Sequence, residues 1–120
     1  MQHIALDSPQ FKVSLRELYN YINHQYTKKT LTSTDSPYTV SSEDNLLLIN
    51  AVSGNINILL NTVSGYQGMY LIIKRIDASG NTCTITADGS DLIDGAGTKT
   101  LAQWETARLW CDGSATWFSI

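Results

Sequence analysis

The sequence predicts a mainly β protein: an antiparallel β-sandwich or barrel of jelly-roll type, preceded by an extended N-terminal arm and one short helix. Three observations lead to this fold class. From Tyr38 onward, apolar and polar residues alternate with a period of two, as in half-buried strands. Glycine and Asp-Gly turns recur roughly every ten residues. No helical period separates the strands, which disfavours a parallel α/β sheet.

The chain of 120 residues is long enough for one domain and an arm. We divide it into residues 1–36, an arm and helix for attachment or oligomerisation, and residues 37–120, an antiparallel β domain. Residues 1–13 have an extended, partly apolar pattern interrupted by Pro9. Residues 28–36 are polar and rich in serine and threonine, so we interpret them as a linker.

One helix is predicted over residues 14–27. Ser14 and Glu17 have the spacing of a capping box, in which each side chain satisfies a free amide at the helix start. Apolar residues then recur on one face at helical spacing. This stripe consists of Leu15, Leu18, Tyr19, Ile22 and Tyr26. The stripe either packs on its own domain or meets a partner chain, and both interpretations stay open.

About eight or nine strands are predicted after the linker. They cover residues 38–40, 46–50, 56–60, 69–76, 82–87, 92–93, 98–101, 106–111 and 115–120. Asp112-Gly113 is expected to join the last two strands as a hairpin, since Asp-Gly is a common turn sequence. Trp110 and Trp117 lie on these two strands, where they could form a cross-strand pair.

Composition excludes several function classes. Residues 1–40 are nearly balanced in charge and residues 41–120 hold an excess of acids, so neither part offers the basic patch of a nucleic-acid-binding protein. No apolar run approaches the ~18 residues of a membrane span, and no signal peptide is visible. We therefore expect no nucleic-acid or membrane partner.

The residues that could carry catalysis do not form a catalytic pattern. His3 and His24 are the two histidines, and neither has a nucleophile and an acid at a suggestive spacing. Gly95 and Gly97 lack the Lys-Ser/Thr and the following helix of a phosphate-binding loop. The sequence therefore predicts that the protein is not an enzyme and needs no cofactor.

Metal and disulfide chemistry is also disfavoured. Cys83 and Cys111 lie on apolar faces of predicted strands and are expected to be buried, although a disulfide between them stays open. Asp88, Asp91 and Asp94 form one acidic cluster. We interpret it as turn chemistry, because its spacing departs from that of calcium loops. A carboxylate pair for glycoside cleavage could be drawn from the same residues.

Aromatic residues offer the better ligand hypothesis. Trp104 and Tyr66 are candidate contacts for a glycan, since exposed aromatic rings at strand ends stack on sugars. The alternative is that the tryptophans pack within the domain.

Residues 37–120 resemble a C-terminal module of tailed-bacteriophage virion proteins, a group that includes capsid decoration proteins, head fibres and tail-fibre tips. Five segments carry the resemblance. They are Pro-Tyr-Thr-Val at 37–40, the strands within 46–60, Ile-Lys-Arg-Ile-Asp-Ala-Ser-Gly-Asn-Thr-Cys-Thr-Ile at 73–85, Asp-Gly-Ser-Asp-Leu-Ile-Asp-Gly at 88–95, and the closing Asp-Gly-(x)n-Trp at 112–117.

The resemblance implies an antiparallel β domain that assembles as a homotrimer on a virion, within the host bacterial cytoplasm, and carries no catalytic residue. Its partners would be the major capsid protein or another virion protein, with a host-surface glycan as a further candidate. The N-terminal part would hold the module to the particle through Phe11 and the apolar stripe. Because the sequence shows no long shaft, we expect a capsid decoration protein, also called a cement or head-fibre protein. A tail-fibre or receptor-binding tip is the alternative.

Overall fold

The computed structural model describes residues 28–64 and 68–120, which form ten strands and one short 3-10 helix. The strands are β1 (Lys28–Leu31), β2 (Tyr38–Thr39), β3 (Leu46–Ile49), β4 (Ile56–Leu59), β5 (Tyr70–Arg75), β6 (Cys83–Thr86), β7 (Leu92–Ile93), β8 (Thr98–Thr100), β9 (Thr106–Cys111) and β10 (Thr116–Ser119). The 3-10 helix is Ser33–Asp35. Phe11 and the apolar stripe lie outside the described residues, as does Tyr66.

The strands form two mixed sheets around one core, which confirms the prediction of a mainly β protein. Sheet A has six strands in the order β1-β3-β5-β9-β10-β7, and sheet B has four in the order β2-β4-β6-β8. From β1 to β9, each strand lies in the opposite sheet from the one before it. The inward residues of both sheets form a single hydrophobic cluster, so both sheets contribute to the same core.

The pairing of the strands differs from the antiparallel pattern expected from the sequence. Among the described strands, five pairings are parallel and three are antiparallel. From β1 to β6 the chain crosses to the other sheet at each connection and then returns in the same direction, so β1, β3 and β5 run parallel. The turns between these strands therefore join different sheets. The predicted β9–β10 hairpin is confirmed, since these strands pair antiparallel.

The segment interpreted as a linker contributes to the β domain. Lys28–Leu31 forms the edge strand β1, which pairs with β3 over four residues. Leu31 is 2 % exposed and belongs to the core. Asp35 accepts a hydrogen bond from the backbone N–H of Thr32 at 2.9 Å and so caps the short helix. The polar composition of 28–36 reflects an exposed edge strand and a capped turn.

The cross-strand pair of Trp110 and Trp117 is not formed. Trp117 aligns with Cys111, whereas Trp110 aligns with Phe118. Because side chains alternate between the faces of a strand, the two indoles lie on opposite faces of sheet A. Trp117 is fully buried in the core, and Trp110 lies on the outer face.

The core position of Leu31 gives a direct test of where the β domain begins. We expect Leu31→Ala to lower the free energy of unfolding by ~2–5 kcal/mol, the usual cost of a large-to-small change in a core. Thr30→Ala, the adjacent exposed position, is the matched control and should change the free energy of unfolding by no more than ~0.5 kcal/mol. Chemical denaturation measures both. Equal effects of the two variants would place residues 28–31 outside the folded domain.

Candidate functional site

The outer faces of the two sheets differ in chemistry. On sheet B the outward positions of β6 and β8 are threonines, with Thr84 opposite Thr100 and Thr86 opposite Thr98. Asn57 aligns with Thr84 on the neighbouring strand, and its side-chain oxygen accepts a hydrogen bond from Thr86 at 2.8 Å. Apart from the half-buried Leu59, which aligns with Thr86, these residues form a face that is readily hydrated.

Sheet A instead presents two rows of large apolar side chains on its outer face. In the first row, Tyr70, Trp110 and Phe118 lie side by side across β5, β9 and β10. In the second row, Leu46 aligns with Ile72. Ile120 extends this row, since its backbone N–H donates to the carbonyl of Arg108 at 2.9 Å. We call these six residues, Leu46, Tyr70, Ile72, Trp110, Phe118 and Ile120, the apolar face.

The apolar face is partly open to solvent in the single chain. Phe118 is 43 % exposed and Ile120 is 69 % exposed, while the other four members are half-buried by their neighbours in the sheet. Burying such side chains against a partner is favourable by roughly 25 cal/mol per Å² of apolar surface. Clusters of exposed apolar residues on one side of a protein mark interaction sites.

Cations accompany the apolar residues on this face. Arg108 is exposed and aligns with Ile72, inside the second row. Lys28 and Lys74 occupy outward positions nearer the rim, on β1 and β5. Tyrosine, tryptophan, phenylalanine and arginine are the residues enriched in protein interfaces. The aromatic and arginine residues of the face are therefore ones that protein interfaces favour.

The acidic cluster predicted from the sequence lies beside β7, at the rim of sheet A. Asp91 accepts a hydrogen bond from the backbone N–H of Val63 at 2.7 Å. Asp94 accepts from the backbone and hydroxyl of Ser119, and these bonds lower the pKa of the Asp94 carboxyl. Within residues 28–64 and 68–120, no group of three or more His, Cys, Asp or Glu is placed to hold a metal ion. The described bonds are those of turn-forming side chains.

A second polar cluster is buried at one end of the domain. Arg75 and Asp77 form an ion pair with two nitrogen–oxygen distances of 3.2 Å, and both side chains are buried. Asp77 also accepts from the backbone N–H groups of Ala51 and Ser79, at 2.8 and 3.0 Å. Burial alone would raise the pKa of Asp77. The hydrogen bonds from Arg75, Ser79 and Ala51 outweigh burial and hold this pKa well below its usual range.

The arginine of this pair is engaged on all of its nitrogens. Besides Asp77, it donates to the carbonyl of Leu101 at 3.0 Å, and to those of Ser79 and Asn81 at 3.0 and 2.6 Å. A shallow depression of about 460 Å³ lies beside it. Because the guanidinium donors already bind protein acceptors, Arg75 has a structural role in this depression.

Both cysteines are buried and unbonded, as the prediction of small core residues requires. Cys83 points inward from sheet B and Cys111 from sheet A. Burial raises the pKa of the Cys83 thiol to about 11 and also raises that of Cys111. Thiols of this kind are weak nucleophiles because little thiolate is present near neutral pH.

Trp104, a predicted glycan contact, lies in the connection between β8 and β9. Its indole is 55 % exposed, and its backbone adopts φ +61°. This region is uncommon for a bulky residue and costs of order 1–3 kcal/mol. The ammonium of Lys74 donates a hydrogen bond to the carbonyl of Trp104, which helps to hold this conformation. The other predicted contact, Tyr66, is not among the described residues, so the two are not brought together.

Sequence reasoning missed the apolar face, although a signal for it was present. The run Leu46-Leu-Leu-Ile49 and the segment Tyr70-Leu-Ile-Ile73 are apolar at successive positions, not only at alternate ones. Such runs are typical of strands that are covered on both faces. The sequence predicts both segments as strands and assigns no role to their outer faces.

Comparisons with protein-family models, with curated proteins and with solved structures find no match to this chain. In the part of the chain that the structure describes, no helix has the length and apolar character needed to cross a membrane.

The ion pair predicts how stability depends on pH. Folding lowers the pKa of Asp77, so the ionised carboxyl contributes to the free energy of unfolding. This contribution is complete above about pH 4, the pKa of an unfolded aspartate, and is lost as the pH falls further. Asp77→Asn should remove this part of the pH dependence. It should also lower the free energy of unfolding by ~3–5 kcal/mol at neutral pH, since Arg75 is left buried without its counter-charge.

Chemical denaturation at neutral pH and below about pH 4 measures both effects. The exposed Asp88→Asn is the control and should behave as the wild type. Parallel loss of stability on acidification in the wild type and in Asp77→Asn would show that Asp77 does not control this pH dependence.

The cysteines provide a further test. We expect both thiols of the native protein to react with a disulfide reagent at least roughly a hundredfold more slowly than in the unfolded chain, because they are buried and protonated. Absorbance of the released thiolate follows the reaction with and without denaturant. Rapid reaction of one thiol under native conditions would contradict the burial of that residue.

Proposed function

We propose that this chain is a non-enzymatic structural protein of a bacteriophage virion, a trimeric capsid decoration protein that binds the shell and stabilises it. The single observation that supports an assembly role best is the apolar face of sheet A, set against the polar outer face of sheet B. A β domain with one solvated face and one apolar face is built to be covered on one side. The resemblance of residues 37–120 to virion modules is the reason for proposing a virion as the assembly.

In this proposal the two parts of the chain have different tasks. The β domain is the compact displayed unit. Phe11 and the apolar stripe of residues 15–26 supply the contact with the capsid or with sister subunits. Their side chains are apolar at helical spacing, so they can bury surface on a partner. Nothing in this mechanism requires a reaction or a cofactor.

Stabilisation would follow from mass action. A protein that binds the assembled shell and not its separate subunits shifts the equilibrium toward the shell. Three attachment segments joined in one trimer add avidity without stronger individual contacts. A small chain with one β domain is sufficient for such a role.

Co-sedimentation with undecorated capsids of the phage that encodes the chain tests this proposal. We expect the wild type to pellet with capsids and to raise the temperature at which they open. Leu18→Lys with Ile22→Lys should weaken binding at least roughly tenfold, because it places charge within the apolar stripe. Asn20→Lys with Asn23→Lys adds the same charge off the stripe and should leave binding intact. Failure of the wild type to bind such capsids would overturn the decoration role.

A receptor- or glycan-binding tip is the second candidate. It is favoured by Trp104, which is exposed and has an uncommon backbone conformation with positive φ. The indole is available for stacking on a sugar ring, and Lys74 holds the backbone in place. Glycan-array binding that is lost in Trp104→Ala, but kept in Val52→Ala, a control at a similarly exposed position, would support this function. Absence of glycan binding by the wild type would exclude this second function.

A further inference from the structure

We infer that the apolar face of sheet A is the contact between copies of this chain, and that the face of one copy packs against the acidic β7 rim of the next. The inference rests on the proposed trimer and deepens it, because it names the surface through which copies assemble. Residues 1–27 are then left for the attachment proposed above.

The chemistry of the face identifies a protein as the partner. Tyr70, Trp110 and Phe118 form a continuous aromatic row, and Arg108 lies within the second apolar row. Aromatic and arginine side chains carry most of the binding energy in protein interfaces. A sugar or nucleic acid would need more hydrogen-bonding groups than this surface offers at its centre.

The charges favour a second copy placed in a head-to-tail arrangement. The outward positions of the face hold Lys28, Lys74 and Arg108. The rim beside β7 holds Asp88, Asp91 and Asp94, and Leu92 at this rim is 37 % exposed. The copies of a closed trimer meet through two different surfaces, not through one surface used twice. When the face of one copy packs against the rim of the next, opposite charges are paired, and Leu92 adds an apolar contact.

A closed ring compensates for the small size of the face. Six strands have five spacings of ~4.8 Å between them, and the longest strands have six residues at ~3.3 Å each, so sheet A has a flat area of roughly 480 Å². A stable interface buries ~800 Å² on each partner, so one such contact is small. A head-to-tail contact forms a ring when the rotation between successive copies closes, and each copy is then held by its face and its rim at once. Three copies form the smallest ring of this kind.

Light scattering of the full-length chain during size-exclusion chromatography tests the inference. We expect a mass about three times the chain mass of 13.3 kDa. Phe118→Lys and Arg108→Glu each change an exposed side chain of sheet A, so the fold should persist, and circular dichroism checks this. Each variant should raise the concentration needed for assembly at least roughly tenfold. Thr98→Lys, on the outer face of sheet B, is the matched control and should assemble as the wild type does.

The possible results distinguish failure of this inference from failure of the proposed decoration role. If the wild type assembles and both Phe118→Lys and Arg108→Glu keep the same assembled mass, the inference is overturned, although the proposed trimer stands. A wild type of single-chain mass would also overturn it. If Leu18→Lys with Ile22→Lys then increased binding of a hydrophobic dye, the chain's own stripe would be the occupant of the face. A wild type that assembles through the face and does not bind capsids would support the inference and refute the decoration role.

Discussion

The buried ion pair between Arg75 and Asp77 fixes one end of the domain, and the arrangement of the strands depends on it. Asp77 binds the backbone after β3, and Arg75 binds carbonyls before β6 and after β8. The amide of Asn81 donates to the carbonyl of Ala51 at 2.6 Å and adds a further link. Three connections between the two sheets thus converge on one guanidinium–carboxylate pair. Because both charges are buried, removing either partner leaves the other uncompensated, which is far more costly than losing a surface pair.

The two-sheet arrangement leaves one outer face on each sheet for function. The chain alternates between the sheets from β1 to β9, and each strand turns one face into the shared core. The outer face of sheet B can then be polar, and its threonines meet water. The outer face of sheet A carries apolar rows that the core does not use. Polar side chains that are bonded within the turns, together with an apolar outer sheet face, suit the assembly role that we propose.

The sequence predicted the strands well and their partners poorly. All nine predicted strands after residue 37 appear, because alternation and Asp-Gly turns are local signals. Pairing is not local: the same turn can close a hairpin or send the chain to the opposite sheet, so parallel pairs such as β3–β5 were missed. Strand β1 was missed because its exposed lysines and threonine resemble a linker. The stripe of residues 15–26 and the contact residue Tyr66 stay predictions. The apolar face was overlooked because the segments of Leu46 and Ile72 were predicted as strands, without a role for their outer faces.

Hydroxyl-radical footprinting of the full-length chain tests the central claim most directly, since it reports solvent access residue by residue. Samples below and above the concentration of assembly are compared, with the exposed Trp104 as internal reference. Our account predicts that oxidation of Phe118 and Trp110 falls on assembly, while oxidation of Trp104 stays constant. Equal oxidation of Phe118 in separate and assembled chains would show that the apolar face stays in solvent, and would contradict the account.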